Sequence, residues 1–131
     1  MPHPQMFEDD DEILARVRAI ALRLPEAKEK VAHGRPYFYT TKVFTSYGAW
    51  SKQEDAQHPQ SVLLKLDESE RQALLQRPGA FVPGYWGPSG WVGLDLDETT
   101  DWEEVTELIT ESYLQTAPAR LARQLAESLR D

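Results

Sequence analysis

The chain holds 22 carboxylates and three histidines but no cysteine. Thiolate nucleophiles, thiolate metal sites and disulfides are therefore excluded. Spacing does not gather these groups into a reactive set. His3, His33 and His58 are scattered, without the close pairing that metal-ligating histidines usually show. Asp95, Asp97 and Asp101 begin like a calcium loop, but its sixth position is Thr100 rather than Gly and its twelfth is Thr106 rather than Glu. Those acids are expected to close a strand and to charge a helix start. There is no Gly-x-Ser-x-Gly elbow. Gly84, Gly87 and Gly90 lack the lysine and the strand-to-helix setting of a phosphate loop. With no residues to carry a reaction, the chain is expected not to be an enzyme and to use no cofactor and no metal.

Binding chemistry is better represented. If residues 36–47 alternate strictly, Phe38, Lys42 and Phe44 share one face and Tyr37, Tyr39, Thr41, Thr45 and Tyr47 the other. Lys65 and Trp91 also point away from the presumed core faces of their strands. Should those strands be neighbours, Tyr39, Lys65 and Trp91 form an aromatic and cationic surface suited to nucleotide bases or a peptide. The competing reading buries these rings beneath the last helix. Charge is zoned along the chain, whose net value is −8. Residues 16–42 carry seven bases against Glu26 and Glu29, whereas residues 95–131 carry ten acids and three bases. An acidic total repels phosphate, yet a local basic face can still bind it.

The elements that would position these groups follow from periodicity. Ile13, Leu14, Val17, Ile20, Ala21 and Leu24 mark a first helix that ends before Pro25. Residues 29–33 predict a short strand ending at Gly34, and residues 36–47 one long strand or a hairpin turning near Thr40-Thr41. The polar segment 52–60 reads as a loop. Strands follow at 61–66, with Val62, Leu64 and Leu66 on one face, and at 90–96, with Val92, Leu94 and Leu96 inward. Between them lie a short helix capped by Asp67 and a proline- and glycine-rich loop bearing Tyr85 and Trp86. Thr100 with Glu103 predicts the capping box of a last helix that Pro118 must break. Strands flanked by terminal helices indicate an α+β domain with a mostly antiparallel sheet. Residues 12–131 read as that single domain, preceded by an acidic, flexible lead-in over 1–11. No apolar stretch approaches the roughly 18 residues of a membrane span, and Met1-Pro2-His3-Pro4 does not open a signal peptide. A soluble, cytoplasmic protein is expected.

Several segments in this order carry a resemblance: His33-Gly34-Arg35-Pro36-Tyr37-Phe38, Lys42-Val43-Phe44, Val62-Leu63-Leu64-Lys65, Gly90-Trp91-Val92 and Ala117-Pro118-Ala119-Arg120-Leu121. Together they resemble the MmcQ/YjbR family of small bacterial proteins. The resemblance implies a two-layer fold in which a curved, mostly antiparallel sheet packs against N- and C-terminal helices, sometimes described as a double-wing DNA-binding module. It also points to Arg35, Lys42, Lys65 and Arg120 as nucleic-acid-binding residues. The chain has Thr41 before the lysine and Ala119 in the last run, where the family commonly has Gly and Lys. The leading expectation is weak, salt-sensitive DNA binding through a basic face. The alternative is a protein-interaction or small-ligand module using Tyr39 and Trp91.

Overall fold

The computed structural model describes residues 4–130. Its first three α-helices start where short acids can satisfy free amides. Asp11 caps α1 (Glu12–Ala21), its Oδ1 accepting from the Ile13 N–H at 2.8 Å. Asp67 caps α2 (Glu68–Leu75) through the Glu70 N–H at 2.8 Å. Asp101, not Thr100, caps α3 (Trp102–Thr116), accepting from Glu103 and Glu104 N–H at 3.1 and 3.2 Å. Thr100 is diverted because its hydroxyl accepts from the Asp97 N–H instead. Pro118 separates α3 from α4 (Ala119–Ser128), as its missing amide requires.

The strands are β1 (Lys28–Ala32), β2 (Arg35–Tyr39), β3 (Val43–Ser51), β4 (Ala56–Lys65), β5 (Ala80–Phe81) and β6 (Trp91–Asp95). They form one sheet in the order β1-β2-β3-β4-β6-β5, every pair antiparallel. His33 and Gly34 link β1 to β2 with φ of 53° and 80°, the positive values a two-residue hairpin turn demands. Residues 36–47 are a hairpin rather than one strand. The predicted loop at 52–60 shrinks to a turn ending at Asp55, and β4 already begins at Ala56. Gln57 and His58 belong to a strand because they pair with Trp50 and Ala49 at the end of β3, and the Gln60 carbonyl accepts from the Leu96 N–H. Pro59 fits there because the β3–β4 register slips between Tyr47 and Ala49, leaving no ladder amide to supply.

The four helices accompany one apolar layer in which Val62, Leu64, Val92 and Leu94 meet Val105, Ile109 and Tyr113. On the opposite face a smaller cluster joins Ala49, Leu63, Phe81 and Trp91. Strand β3 contributes to both. A bulge sets Tyr39 opposite Val43 and Phe38 opposite Thr45, so Phe44 and Tyr47 both enter the helix-side core. Strict alternation would have put them on opposite faces, so the expected grouping of Tyr47 and Thr45 with Tyr37, away from Phe38 and Phe44, does not form. Thr45 is fully buried and its hydroxyl donates to the Leu63 carbonyl at 2.7 Å. Ser112 of α3 completes the seam. Its hydroxyl accepts from the Lys65 N–H at 2.8 Å and donates to the Phe44 carbonyl at 2.5 Å.

The acidic lead-in does not hang free from Met6 onward. Met6 N–H donates to the Gly34 carbonyl at 2.8 Å, and Phe7 packs on the main core. One backbone bond and one apolar ring tie this polar segment down. Asp11 adds a second function to its cap, since Oδ2 accepts from the Tyr47 hydroxyl at 2.5 Å. Burial pushes that carboxyl upward, but the bonds from Tyr47, Ile13, Gln60 and Leu14 outweigh it and hold the group below its ordinary value of 3.8.

Ser112→Ala would leave two buried backbone groups unsatisfied, so urea melts should show a loss of about 2–4 kcal/mol. Asp11 gives a pH test. A carboxyl held below its unfolded value stabilises fully above that value and loses the effect as pH falls through the lower folded value. Asp11→Asn should therefore be less stable than wild type at pH 7, by about 0.5–2 kcal/mol. The gap should narrow in melts at successive pH values below about 4.

Candidate functional site

Gly48 is where the sheet opens a site. At φ 88° it occupies the left-handed region, which glycine enters without steric cost. A Cβ there would stand 2.7 Å from Nη1 of Arg35 and 3.3 Å from the Pro59 carbonyl. The missing side chain thus leaves room for the Arg35 guanidinium beside β3. From β2, Arg35 reaches Gln57 of β4, with Nη2 donating to the Gln57 Oε1. Arg35 is only 8% exposed, and burial pushes its guanidinium below its ordinary value, an effect partly offset by Tyr37. It forms no ion pair among the described residues.

Around this group lies a cleft of about 740 Å³, lined by Tyr37, Trp50, Tyr85 and Trp86 together with Leu63 and Gly84. The loop carrying Tyr85 and Trp86 is fastened to the end of β3. Pro83 bridges Ser51, and the Gly84 N–H donates to the Trp50 carbonyl at 2.7 Å. Gly84 lies flat on the Trp50 indole, where a Cβ would come within 2.3 Å of the ring. Tyr85 takes φ 68° and leaves its ring 90% exposed, 5.9 Å from that of Trp50. Trp86 is 6.1 Å from Tyr37 and meets Trp91 edge-on at 4.9 Å. The arrangement offers flat apolar walls and one buried cation. A second cavity of about 640 Å³ between α2 and α3 is rimmed by Glu70, Glu104, Glu107 and Glu111 and repels anions.

The residues anticipated from sequence are distributed differently. Arg35 lies in the cleft. Lys65 and Trp91 are direct partners across β4 and β6, but Trp91 is only 7% exposed because Trp86 covers it. A loop, not the last helix, closes that face. Lys65 Nζ donates to the Ser89 carbonyl. Tyr39 is half-buried, with the Lys30 ammonium 4.7 Å from its ring centre. Arg120, on α4, pairs with Glu26 at 2.8 Å. Lys42 is exposed in the β2–β3 turn. Among the other bases, Arg18 pairs with Asp9 and Glu29, and Arg16 stands over Trp102. Sequence reading missed Gly48, Trp50 and Gln57 as parts of the site. Its one usable signal was Tyr85-Trp86, two large rings in a loop otherwise built of proline and glycine. No group of three histidine or acidic residues able to hold a metal occurs among the described residues. No described helix is long and apolar enough to cross a membrane.

A six-stranded antiparallel sheet packed on helices defines an α+β protein of the kind the sequence resemblance implied. The YjbR family profile matches residues 22–115, and the chain belongs to that family. Among solved structures it is similar to the Deinococcus radiodurans protein DR2400, which carries a DUF419 domain. The two share 22% identity with a TM-score of 0.63, over 86% of this chain and 87% of that one. At that identity the likeness speaks for the fold alone. No curated protein matches the chain.

Gly48→Ala tests the site's construction. It forces a side chain into the left-handed region and against Arg35, so it should cost about 1–3 kcal/mol in urea melts. Gly93→Ala would make a poor control, because a Cβ there meets the Phe81 ring at 2.3 Å. Gly79→Ala shares the backbone strain without meeting Arg35.

Proposed function

We propose that the chain is a binding module, not an enzyme, and that it takes a small organic anion in the aromatic cleft over Arg35. The observation that carries this reading is the buried Arg35 guanidinium, which has Gln57 as hydrogen-bond partner and no carboxylate among the described residues. A buried charge is ordinarily paired, because removing it from water is costly. A ligand anion would supply the missing partner. The cleft volume falls within the range of small-molecule sites, about 300–1,000 Å³.

The DNA reading inherits less support. Of the four cations assigned to it, Arg35 is buried, Lys65 is held by the Ser89 carbonyl and Arg120 is paired with Glu26. Lys42 alone among them is exposed without an ion pair among the described residues. A duplex-binding face needs several such groups, since each phosphate neutralised contributes about −0.9 to the salt slope.

Tryptophan fluorescence tests the proposal, because Trp50 and Trp86 line the cleft. Titration with 3-phenylpropionate and phenyl phosphate should give saturable changes, and Arg35→Met should weaken binding by about tenfold or more. Fluorescence anisotropy with labelled duplex and single-stranded oligonucleotides at low salt supplies the contrast. Salt-dependent oligonucleotide binding abolished by Lys42→Glu, with no response to either anion, would replace the cleft reading by the DNA one.

A further inference from the structure

We infer that the ligand is a monoanionic carboxylate joined to a flat apolar ring, an inference that rests on the cleft being an anion site. The first support is charge. Arg35 is the one Lys or Arg lining the cleft, His33 borders it from the exposed β1–β2 turn, and no acid lines it among the described residues. One guanidinium neutralises one negative charge. A phosphate ester carries about −1.5 to −2, and its excess would find no second Lys or Arg in the cleft of a chain of net charge −8. A carboxylate leaves no excess.

The second support is hydrogen-bond geometry. Gln57 occupies Nη2 on one side of the guanidinium, leaving its other N–H groups without a protein acceptor among the described residues. Those donors lie in the plane of a fork, which matches the two oxygens of a carboxylate. Gln57 also orients the fork, so less side-chain freedom is lost on binding.

The third support is the walls. Tyr37, Trp50, Tyr85 and Trp86 line the cleft in two tilted pairs, at 6.1 and 5.9 Å between ring centres. A flat ring in offset or edge contact with another ring gains more than its buried area alone supplies. Tyr85 stays exposed while its backbone holds a conformation unfavourable for tyrosine. Strain of that kind persists only where the surroundings enforce it, and it clusters at ligand sites. In the free protein the ring stands beside Trp50 with most of its surface in water, available to cover a ligand.

The same chemistry has two sources, a free aryl carboxylic acid or a peptide ending in an aromatic residue with a free carboxylate. Calorimetry on the wild-type chain decides the class through a series that needs no variant. It compares 3-phenylpropionate with 3-phenylpropionamide, phenyl phosphate and 3-cyclohexylpropionate. The acid should bind about tenfold or more tighter than its amide, because the amide cannot replace the charge-assisted bonds. It should also bind more tightly than phenyl phosphate and more tightly than the cyclohexyl analogue. A tetrapeptide ending in phenylalanine, as free acid and as amide, assigns the source. If the free-acid peptide binds tighter than 3-phenylpropionate the ligand is a chain terminus, and if weaker it is a free acid. Tighter binding of phenyl phosphate, lost in Arg35→Met, would overturn the monocarboxylate while leaving the anion cleft intact. Equal binding of acid and amide would also overturn it, and no binding by any anion would remove the anion cleft as well.

Discussion

Strand β3 is paired on both sides and irregular on both, and most of what distinguishes this molecule follows from that constraint. Against β2 a bulge gives it one residue too many; against β4 the register slips at Gly48. Between the two irregularities Phe44 and Tyr47 both face the helices, and beyond the second Ala49 joins the cluster on the other face. In a regular strand Tyr47 and Ala49 would share a face. The strand turns over within one residue, and hydroxyls serve backbone groups of β3 and β4 along their seam. Thr45 reaches Leu63, and Ser112 reaches both Phe44 and Lys65. Small polar side chains thus join the two strands, and they also fix α3 against the seam.

The cleft depends on the same turnover. Without a side chain at Gly48, Arg35 can pass beside β3 and meet Gln57, and the end of β3 can bring Trp50 beneath the loop that carries Tyr85. The sheet consequently has two unlike faces. One is filled by helices. The other has a small apolar cluster and then an opening floored by a cation. The acid-rich second cavity lies among the helices, so the two cavities present opposite charge to any approaching ion.

Much of the fold was legible in the sequence because it rests on local rules. The faces of 62–66 and of 92–96, the Asp67 cap and the break at Pro118 all follow from short-range spacing. The features that were illegible depend on partners distant in the chain or on single-residue events. A bulge has no periodic signature, so Thr45 and Tyr47 were placed on the wrong face. Residues 57–60 read as a loop because polarity was visible and the pairing partner was not. Thr100 and Asp101 both suit a cap, and the choice was made by the Asp97 amide. The fate of the cations was equally non-local. Arg120 finds Glu26 far earlier in the chain, whereas Arg35 finds no acid and is buried all the same. Composition marked residues 16–42 as basic but carried no information on which bases remain in water.

The Asp11 carboxylate links events that differ in their range along the chain. One oxygen starts α1 by a contact two residues away; the other accepts from Tyr47, 36 residues on. A ten-residue helix has little persistence in water by itself, since nucleation is unfavourable and short helices recover few bonds. Here the carboxylate that caps the first turn is shared with a side chain of the sheet, so the helix start and β3 stabilise one another. Loosening either end of that bond should loosen both elements, although 36 residues separate them.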